Sequence, residues 1–580
     1  MSGICGFVGP APSGVIELML QAIPYRGDTN DIDSNSERGL GYRFWAGRTA
    51  KSQEIFRTPA LVSACAGTFA PAVPCPAKHL TTMMSGTTDT VDGAFCGAVW
   101  ENDSKTLKLF RDPFGIRSIH WMMHEGVFYF ASELKQLLAV SGFVAQPDYL
   151  ALHKYLTFSF VPGEDSAVVG IKRIAPGSIT TFTNGELSVA RYFNLQESID
   201  PEFSDQSTAV RFVKSLCKNA VEKRLTGDAE VGLYLSGGID SFGIAVWLRE
   251  LGVRVRAFTL DFGHRSIELT QAKEVAKLLD IPLTVVSIQP MMLEQNLEDI
   301  VWKLDRPLGD GVTGPQYLLG RAAREAGLSV VFNGEGGDQF FGGWSNKPMI
   351  SAALYADEDD DHSLEEMYLR TYHKFYGLEE QLYSEAFLER VNTPGVRRSH
   401  LQSYFSGNDG NSFLSKLRFA DIHLKASQNI LPRMERMTNC WGLDARAPLF
   451  DRSLAEGSFR IPPQMKLHGA CEKYVIKLAL QRDLPQEIVW RRKFGMSVPV
   501  TDWVLDSLAP LISEVLGERS IRARGLFSPT YVARLRNGIN EAQEVRRRRI
   551  GERLWTLLML EMWMRRFIDS PTVNGPGVES

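Results

Sequence analysis

The seven cysteines form no C-x-x-C pair and no zinc-ligand spacing, so the sequence offers neither a redox pair nor a structural metal site. Scattered thiols of this kind fit a reduced, cytoplasmic setting. The first residues contain no basic segment followed by an apolar stretch, so no secretory signal is expected. No apolar run reaches the roughly 18 residues of a membrane span. The richest stretch, 554–567, is interrupted by Glu561 and carries Arg565 and Arg566 near its end, which predicts a packed C-terminal helix and no membrane partner. Strong charge of either sign is also missing. The net charge is −4 over 580 residues, so no nucleic-acid partner is expected. The one basic run, Arg546 to Arg549, and the one acidic run, Asp357 to Asp361, are expected to be solvated. There is no internal repeat, no long low-complexity tract and no G-x-x-x-x-G-K-S/T phosphate loop.

What is present is an ordinary globular mixture, 44% hydrophobic and 23% charged, long enough for two to four domains. Short β-branched and aromatic segments bounded by turn residues fill the first 195 residues: Ile4–Val8, Gly97–Trp100, Thr106–Arg111 and Val127–Ala131. A different pattern begins after a boundary at 194–204. Helical spacing covers Gln206–Arg224, followed by strand Val231–Leu235, helix Phe242–Leu251, strand Val255–Leu260, helix Glu268–Leu279 and strand Leu283–Ile288. Strands alternating with helices predict a doubly wound parallel sheet. Another strand is expected at Ser329–Phe332, and from about Met349 onward the chain reads as mostly helical.

The strongest chemical signal is Ser236-Gly237-Gly238-Ile239-Asp240-Ser241, which follows an apolar strand and opens a helix. Two glycines let backbone approach an anion, and the first helical amides supply donors to it. Ser236 and Ser241 add hydroxyls. Asp240 is a natural Mg2+ ligand, because that ion favours carboxylates together with phosphate oxygens. The loop lies at the carboxyl end of a parallel strand, where open α/β sheets bind ligands.

This hexapeptide resembles the pyrophosphate loop of the N-type ATP pyrophosphatases. Other segments extend the resemblance: 305–310 (DRPLGD), 333–344 (NGEGGDQFFGGW), 431–437 (LPRMERM), 443–451 (LDARAPLFD), Glu472-Lys473-Tyr474 and 491–499 (RRKFGMSVP). Their order is similar to the synthetase domain of the asparagine synthetase B family, over about 206–567. The resemblance implies ATP and Mg2+ as cofactors, an acyl-adenylate chemistry, and a homodimer. It places Leu235, Ser236, Gly237, Gly238, Asp240, Ser241, Gly334 and Lys493 around the nucleotide. Asp240 and Asp338 hold the metal, Glu335 acts as base towards the incoming nitrogen, and Lys473 stabilises developing charge. Arg491 and Lys493 are expected to serve pyrophosphate. Arg436, Asp444, Arg446 and Asp451 are expected to hold the helical half together by ion pairs.

Residues 1–195 resemble the glutaminase part of the same family through Gly3-Ile4-Cys5-Gly6-Phe7-Val8-Gly9, Tyr25-Arg26-Gly27-Asp28, 92–95 (DGAF), 111–117 (RDPFGIR) and 130–135 (FASELK). That implies an α+β, Ntn-hydrolase-like four-layer sandwich, then a synthetase domain at 205–570 and a flexible tail at 571–580. The family nucleophile is a cysteine beside a free terminal amine. Here the matching position is Ser2, and Cys5 falls inside the first strand. The family's Asn-Gly-Glu stretch matches Ala66-Gly67-Thr68, and the segment from Cys75 to Asp92 is shortened. The expected activity is therefore ATP-dependent amide formation between a small-molecule or peptide carboxylate and ammonia or another amine, without glutamine. Two alternatives stay open. One is an intramolecular cyclase of the β-lactam synthetase or lasso-peptide type, although β-lactam synthetases carry tyrosine where Glu335 stands. The other is a non-catalytic, nucleotide-binding regulatory paralogue.

Overall fold

The computed structural model describes residues 2–46, 55–84, 88, 90–263, 267–343, 349, 363–372, 374–393, 395–405, 412–491, 498–538, 543–570 and 575. Lys493, the acidic run at Asp357 to Asp361 and most of the 571–580 tail lie outside them.

Alternation of side chains across the strands builds the first part of the chain. In strand Gly3–Val8, Ile4 points to one side and Cys5 to the other, and both are fully buried. Two six-stranded antiparallel sheets result. The first has Gly3–Val8 between Val127–Ala131 and Arg38–Phe44; the second is centred on Thr106–Arg111 and Gly93–Glu101. Ile4, Tyr42, Phe128 and Phe130 of the first sheet meet Ala98, Trp100, Leu109 and Phe182 of the second in one core. Helices Val15–Gln21 and Leu134–Leu138 cover the outer face of the first sheet, with Cys5, Phe7 and Tyr129 against them. Helix Pro76–Met83 covers the outer face of the second. The layers are thus helix, sheet, sheet, helix.

Beyond helix Gln206–Glu222 the sheet is parallel, with five strands in the order Leu283–Ser287, Arg254–Asp261, Glu230–Tyr234, Val330–Phe332, Asp444–Arg446. Val231, Leu233 and Phe332 face one apolar core, and Tyr234, Phe258 and Val331 face another, so helices cover both faces. The chain starts this sheet in the middle and builds outward in both directions. The strand order therefore reverses between Glu230–Tyr234 and Val330–Phe332, the switch point at whose carboxyl end open α/β sheets bind ligands.

Three features differ from expectation. The fifth strand, Asp444–Arg446, comes from the half that reads as helical; three residues with one apolar position are too short to show a period of two. Residues Asp421–Ile430 form a π-helical segment, which has no signature in the apolar spacing. Finally, the expected ion pairs do not simply bind the helical half to itself. Arg436 pairs with Glu133 of the sandwich, and Arg26 and Arg117 of the sandwich each reach Glu435 at 2.5 Å. Arg224 joins Asp92 at 3.0 Å to Asp451 at 2.9 Å. These charges, all buried, pin the two sheet systems together. The C-terminal helix Glu544–Met564 is packed as expected, with Leu557, Leu558 and Trp563 fully buried. Among the described residues no helix is long and apolar enough to cross a membrane.

Candidate active site

The crevice at the switch point is a cleft of about 390 Å3 whose lining includes Leu235, Ser236, Gly237, Gly238, Asp240, Ser241, Gly334, Glu335, Asp338, Lys473 and Arg491. Every described residue expected at the nucleotide or in catalysis is therefore in one place.

The loop after strand Glu230–Tyr234 keeps its shape through its own serines. Ser241 Oγ donates to the Ser236 carbonyl at 3.1 Å and the Gly238 carbonyl at 3.0 Å, and the Gly238 amide donates to Ser236 Oγ at 3.2 Å. Helix Ile239–Glu250 starts at Gly238 with no side chain capping it, so its first amides point into the cleft. Glycine is required where the loops touch. A Cβ on Gly237 would lie 2.9 Å from Glu268 Cα, and one on Gly334 would lie 2.5 Å from the Ser241 amide nitrogen. One on Gly337 would meet the Asp240 carboxylate at 1.9 Å, so that carboxylate rests directly on the second loop.

Lys473 joins the two loops. Its ammonium group bonds Asp240 Oδ2 and reaches Asp338 Oδ1 at 2.7 Å, from a residue only 1% exposed. Burial pulls its pKa down, but the two carboxylates outweigh that and hold it above the usual lysine range. Lys473 sits in the left-handed region at φ 53°, and its amide is anchored on the Gly342 carbonyl at 3.2 Å. Asp240 Oδ1 is buried and has no hydrogen-bond partner among the described residues. A buried carboxylate oxygen without a donor, beside a second carboxylate, fits a hard cation that takes its other ligands from phosphate. Among the described residues no group of three or more His, Cys, Asp or Glu side chains could hold a metal by itself.

Glu335 lines the same cleft, from the loop that leads to Asp338. Burial raises its pKa, Arg433 opposes the rise, and Asp338, Asp240 and Asp310 add to it. Arg433, to which the motif 431–437 assigns no role, organises this end of the cleft. Its guanidinium lies 3.6 Å from Glu335, pairs with Asp310 and donates to Gln316 Oε1 at 2.9 Å. In the sequence it is one of three charged residues in 431–437, with Glu435 and Arg436, and nothing there separates a site residue from an ion-pairing one. Arg491 lies over the Phe242 ring at 5.0 Å and leaves Nη2 buried without a partner, aimed at the same cleft.

In the sandwich, Ser2 is buried and its hydroxyl bonds Tyr42. Cys5 is fully buried in its strand, burial pushes its thiol pKa well up, and Glu17 adds to that. Ala66-Gly67-Thr68 lies within strand Leu61–Phe69, paired with 94–96.

A parallel sheet with a glycine-rich loop at its switch point and a lysine clamped between two carboxylates defines an ATP pyrophosphatase domain, here behind an amidotransferase-type sandwich. Comparison with known proteins makes this specific. The asparagine synthase family description matches residues 213–565, and the glutamine amidotransferase domain description matches 78–193. The chain belongs to the asparagine synthase family of ATP-dependent carbon–nitrogen ligases. It is 26% identical over 504 residues to asparagine synthetase (glutamine-hydrolyzing) 1 of Bacillus subtilis, covering 81% of this chain and 77% of that one. A putative asparagine synthetase (glutamine-hydrolyzing) of Mycobacterium tuberculosis is 26% identical over 528 residues, covering 83% and 78%. Amidase chry2 of Gibberella zeae is 22% identical over 503 residues, covering 75% and 73%.

Proposed function

We propose that the protein adenylates a carboxylic acid with ATP and passes the acyl group to ammonia or another amine, without hydrolysing glutamine. The observation that supports this most is the Lys473 clamp on Asp240 and Asp338 at the mouth of the glycine loop. In the first step a carboxylate oxygen attacks the α-phosphorus, the bond to the β-phosphate bridge breaks, and pyrophosphate leaves. The loop amides of 236–241 and Ser236 and Ser241 bind the pyrophosphate portion. Lys473 neutralises charge on the phosphoryl oxygens. Asp240 and Asp338 would hold Mg2+, which when bound neutralises the triphosphate. In the second step the amine attacks the acyl carbon, AMP leaves with the original carboxylate oxygen, and Glu335 takes the proton released from nitrogen. A glutamate held above its usual pKa suits that task.

The glutamine half of the reading rests on the sandwich. The position matching the family's nucleophile is Ser2, and Cys5 is a buried, protonated strand residue. The test is pyrophosphate release with ammonium chloride or L-glutamine as nitrogen source. We expect turnover with ammonium and none with glutamine; glutamate formed from glutamine by the purified protein would contradict this.

A further inference from the structure

A second cavity of about 470 Å3 lies against the cleft. Val312 and Lys425 line both, and the Arg433–Asp310 pair connects them, Arg433 lining the first and Asp310 the second. The second cavity is assembled from distant parts of the chain. The π-helical segment Asp421–Ile430 supplies Lys425 and Asn429, helix Glu544–Met564 supplies Trp555, and the sandwich half supplies Phe158 and Ser159.

Its walls show what it takes. Phe158, Tyr368, Tyr372 and Trp555 give it aromatic surface. The two tyrosines satisfy each other and Asp421: their hydroxyls lie 3.4 Å apart, and Tyr368 donates to Asp421 at 3.1 Å. Three other residues of this lining each carry a buried polar atom with no hydrogen-bond partner among the described residues: Ser159 Oγ, Asn429 Oδ1 and Trp555 Nε1. Their residues are 3%, 8% and 2% exposed. Leaving a buried polar group unpaired is costly, so three around one cavity point to a polar occupant. Lys425, which has no ion-pair partner among the described residues, stands at the junction.

We infer that this cavity holds the body of the acid that the cleft adenylates, and that the acid carries a flat ring with hydrogen-bonding substituents. The inference rests on the proposed adenylation. The carboxylate lies at the junction, beside Arg433 and Lys425, where the α-phosphate is within reach. The ring enters the second cavity and packs on its aromatic walls. Its substituents donate to Asn429 Oδ1 and accept from Trp555 Nε1, with the Ser159 hydroxyl able to do either. A four-carbon amino acid would leave this volume and these atoms unused; pockets of about 300–1,000 Å3 suit larger ligands.

The test is equilibrium binding to the full chain by saturation-transfer NMR and calorimetry. The probes are the non-hydrolysable ATP analogue AMPCPP, then 5-hydroxyindole-3-acetate, 4-hydroxyphenylacetate and L-aspartate added to the saturated protein. We expect at least one ring acid to bind at least tenfold more tightly than L-aspartate. Thr371→Trp, which fills the cavity from its wall, and Asn429→Ala, which removes a polar partner without adding bulk, should each weaken that binding at least fivefold with AMPCPP affinity unchanged. No ring acid binding, equal or tighter binding of L-aspartate, or ring-acid affinity unchanged in both variants would overturn the inference. Failure of AMPCPP to bind the unaltered protein would instead strike the adenylation reading.

Discussion

At the scale of single residues, the chemistry depends on how the charges of the cleft are paired. Among the described residues Lys473 is the cation that bonds both Asp240 and Asp338, so its removal takes away the charge that joins the two carboxylates. We expect Lys473→Ala to lower kcat by about 100- to 1,000-fold, the usual loss for a preorganised charge-stabilising donor. Pyrophosphate release at saturating ATP measures it, and wild-type-like turnover would remove Lys473 from the mechanism. Glu335 makes a prediction in pH. Burial raises its pKa and Arg433 restrains the rise. A base must be ionised, so kcat falls as pH drops through that pKa, at a pH above the ordinary glutamate range. Arg433→Met removes the restraint and should move this acid limb to higher pH; Glu335→Gln should abolish it. A limb that moves to lower pH in Arg433→Met would contradict the assignment. That Asp240, Asp338, Glu335 and Lys473 share one cleft was legible in the sequence, because glycine-rich loops and their acids stand together in short motifs. Arg433 was not, since its role comes from three partners distant in sequence.

At the scale of elements, two loops and one belt of charge hold the site. The loops after Glu230–Tyr234 and Val330–Phe332 touch so closely that Gly334 has no room for a methyl group. We expect Gly334→Ala to separate the loops and cut kcat more than tenfold with little change in thermal stability. A variant of normal activity would show that the contact is not needed. The belt is Arg26, Arg117 and Arg436 around Glu133 and Glu435. Glu435→Ala leaves buried guanidinium groups unpaired and should cost about 3–5 kcal/mol of stability, measured by denaturant unfolding. Burial raises the Glu435 pKa, but Arg26, Arg117 and Arg436 outweigh it and hold the carboxylate well below its usual value. Its contribution is therefore present above the ordinary glutamate pKa of about 4.3 and is lost as pH falls towards the folded value. The variant should lose less stability than wild type on acidification. The apolar strands and helices of the parallel sheet were readable to within a few residues, because burial on both faces writes continuous apolar runs. Strand Asp444–Arg446 and the π-helical segment were not. The first takes its place from its neighbour Val330–Phe332, and the second from packing, and neither cause is local.

At the scale of the whole molecule, the sandwich is joined to the synthetase half by buried ion pairs and lends Phe158 and Ser159 to the second cavity. The sandwich thus takes part in packing and in shaping the second cavity. It follows that the chain should unfold in one cooperative transition by calorimetry, and that a truncated chain beginning at 205 should be insoluble or inactive; an active fragment would contradict this. The overall architecture was legible because two patterns, alternating strands and then strand–helix repeats, succeed each other along the chain. How the two halves meet was not legible, since it depends on charges hundreds of residues apart. The central claim is acyl-adenylate formation, and the most direct measurement follows the carboxylate oxygen. With an acid substrate labelled isotopically at both carboxylate oxygens, mass spectrometry should find one labelled oxygen in AMP and none in pyrophosphate. Label appearing in a phosphate or pyrophosphate product, or absent from AMP while amide forms, would contradict the account.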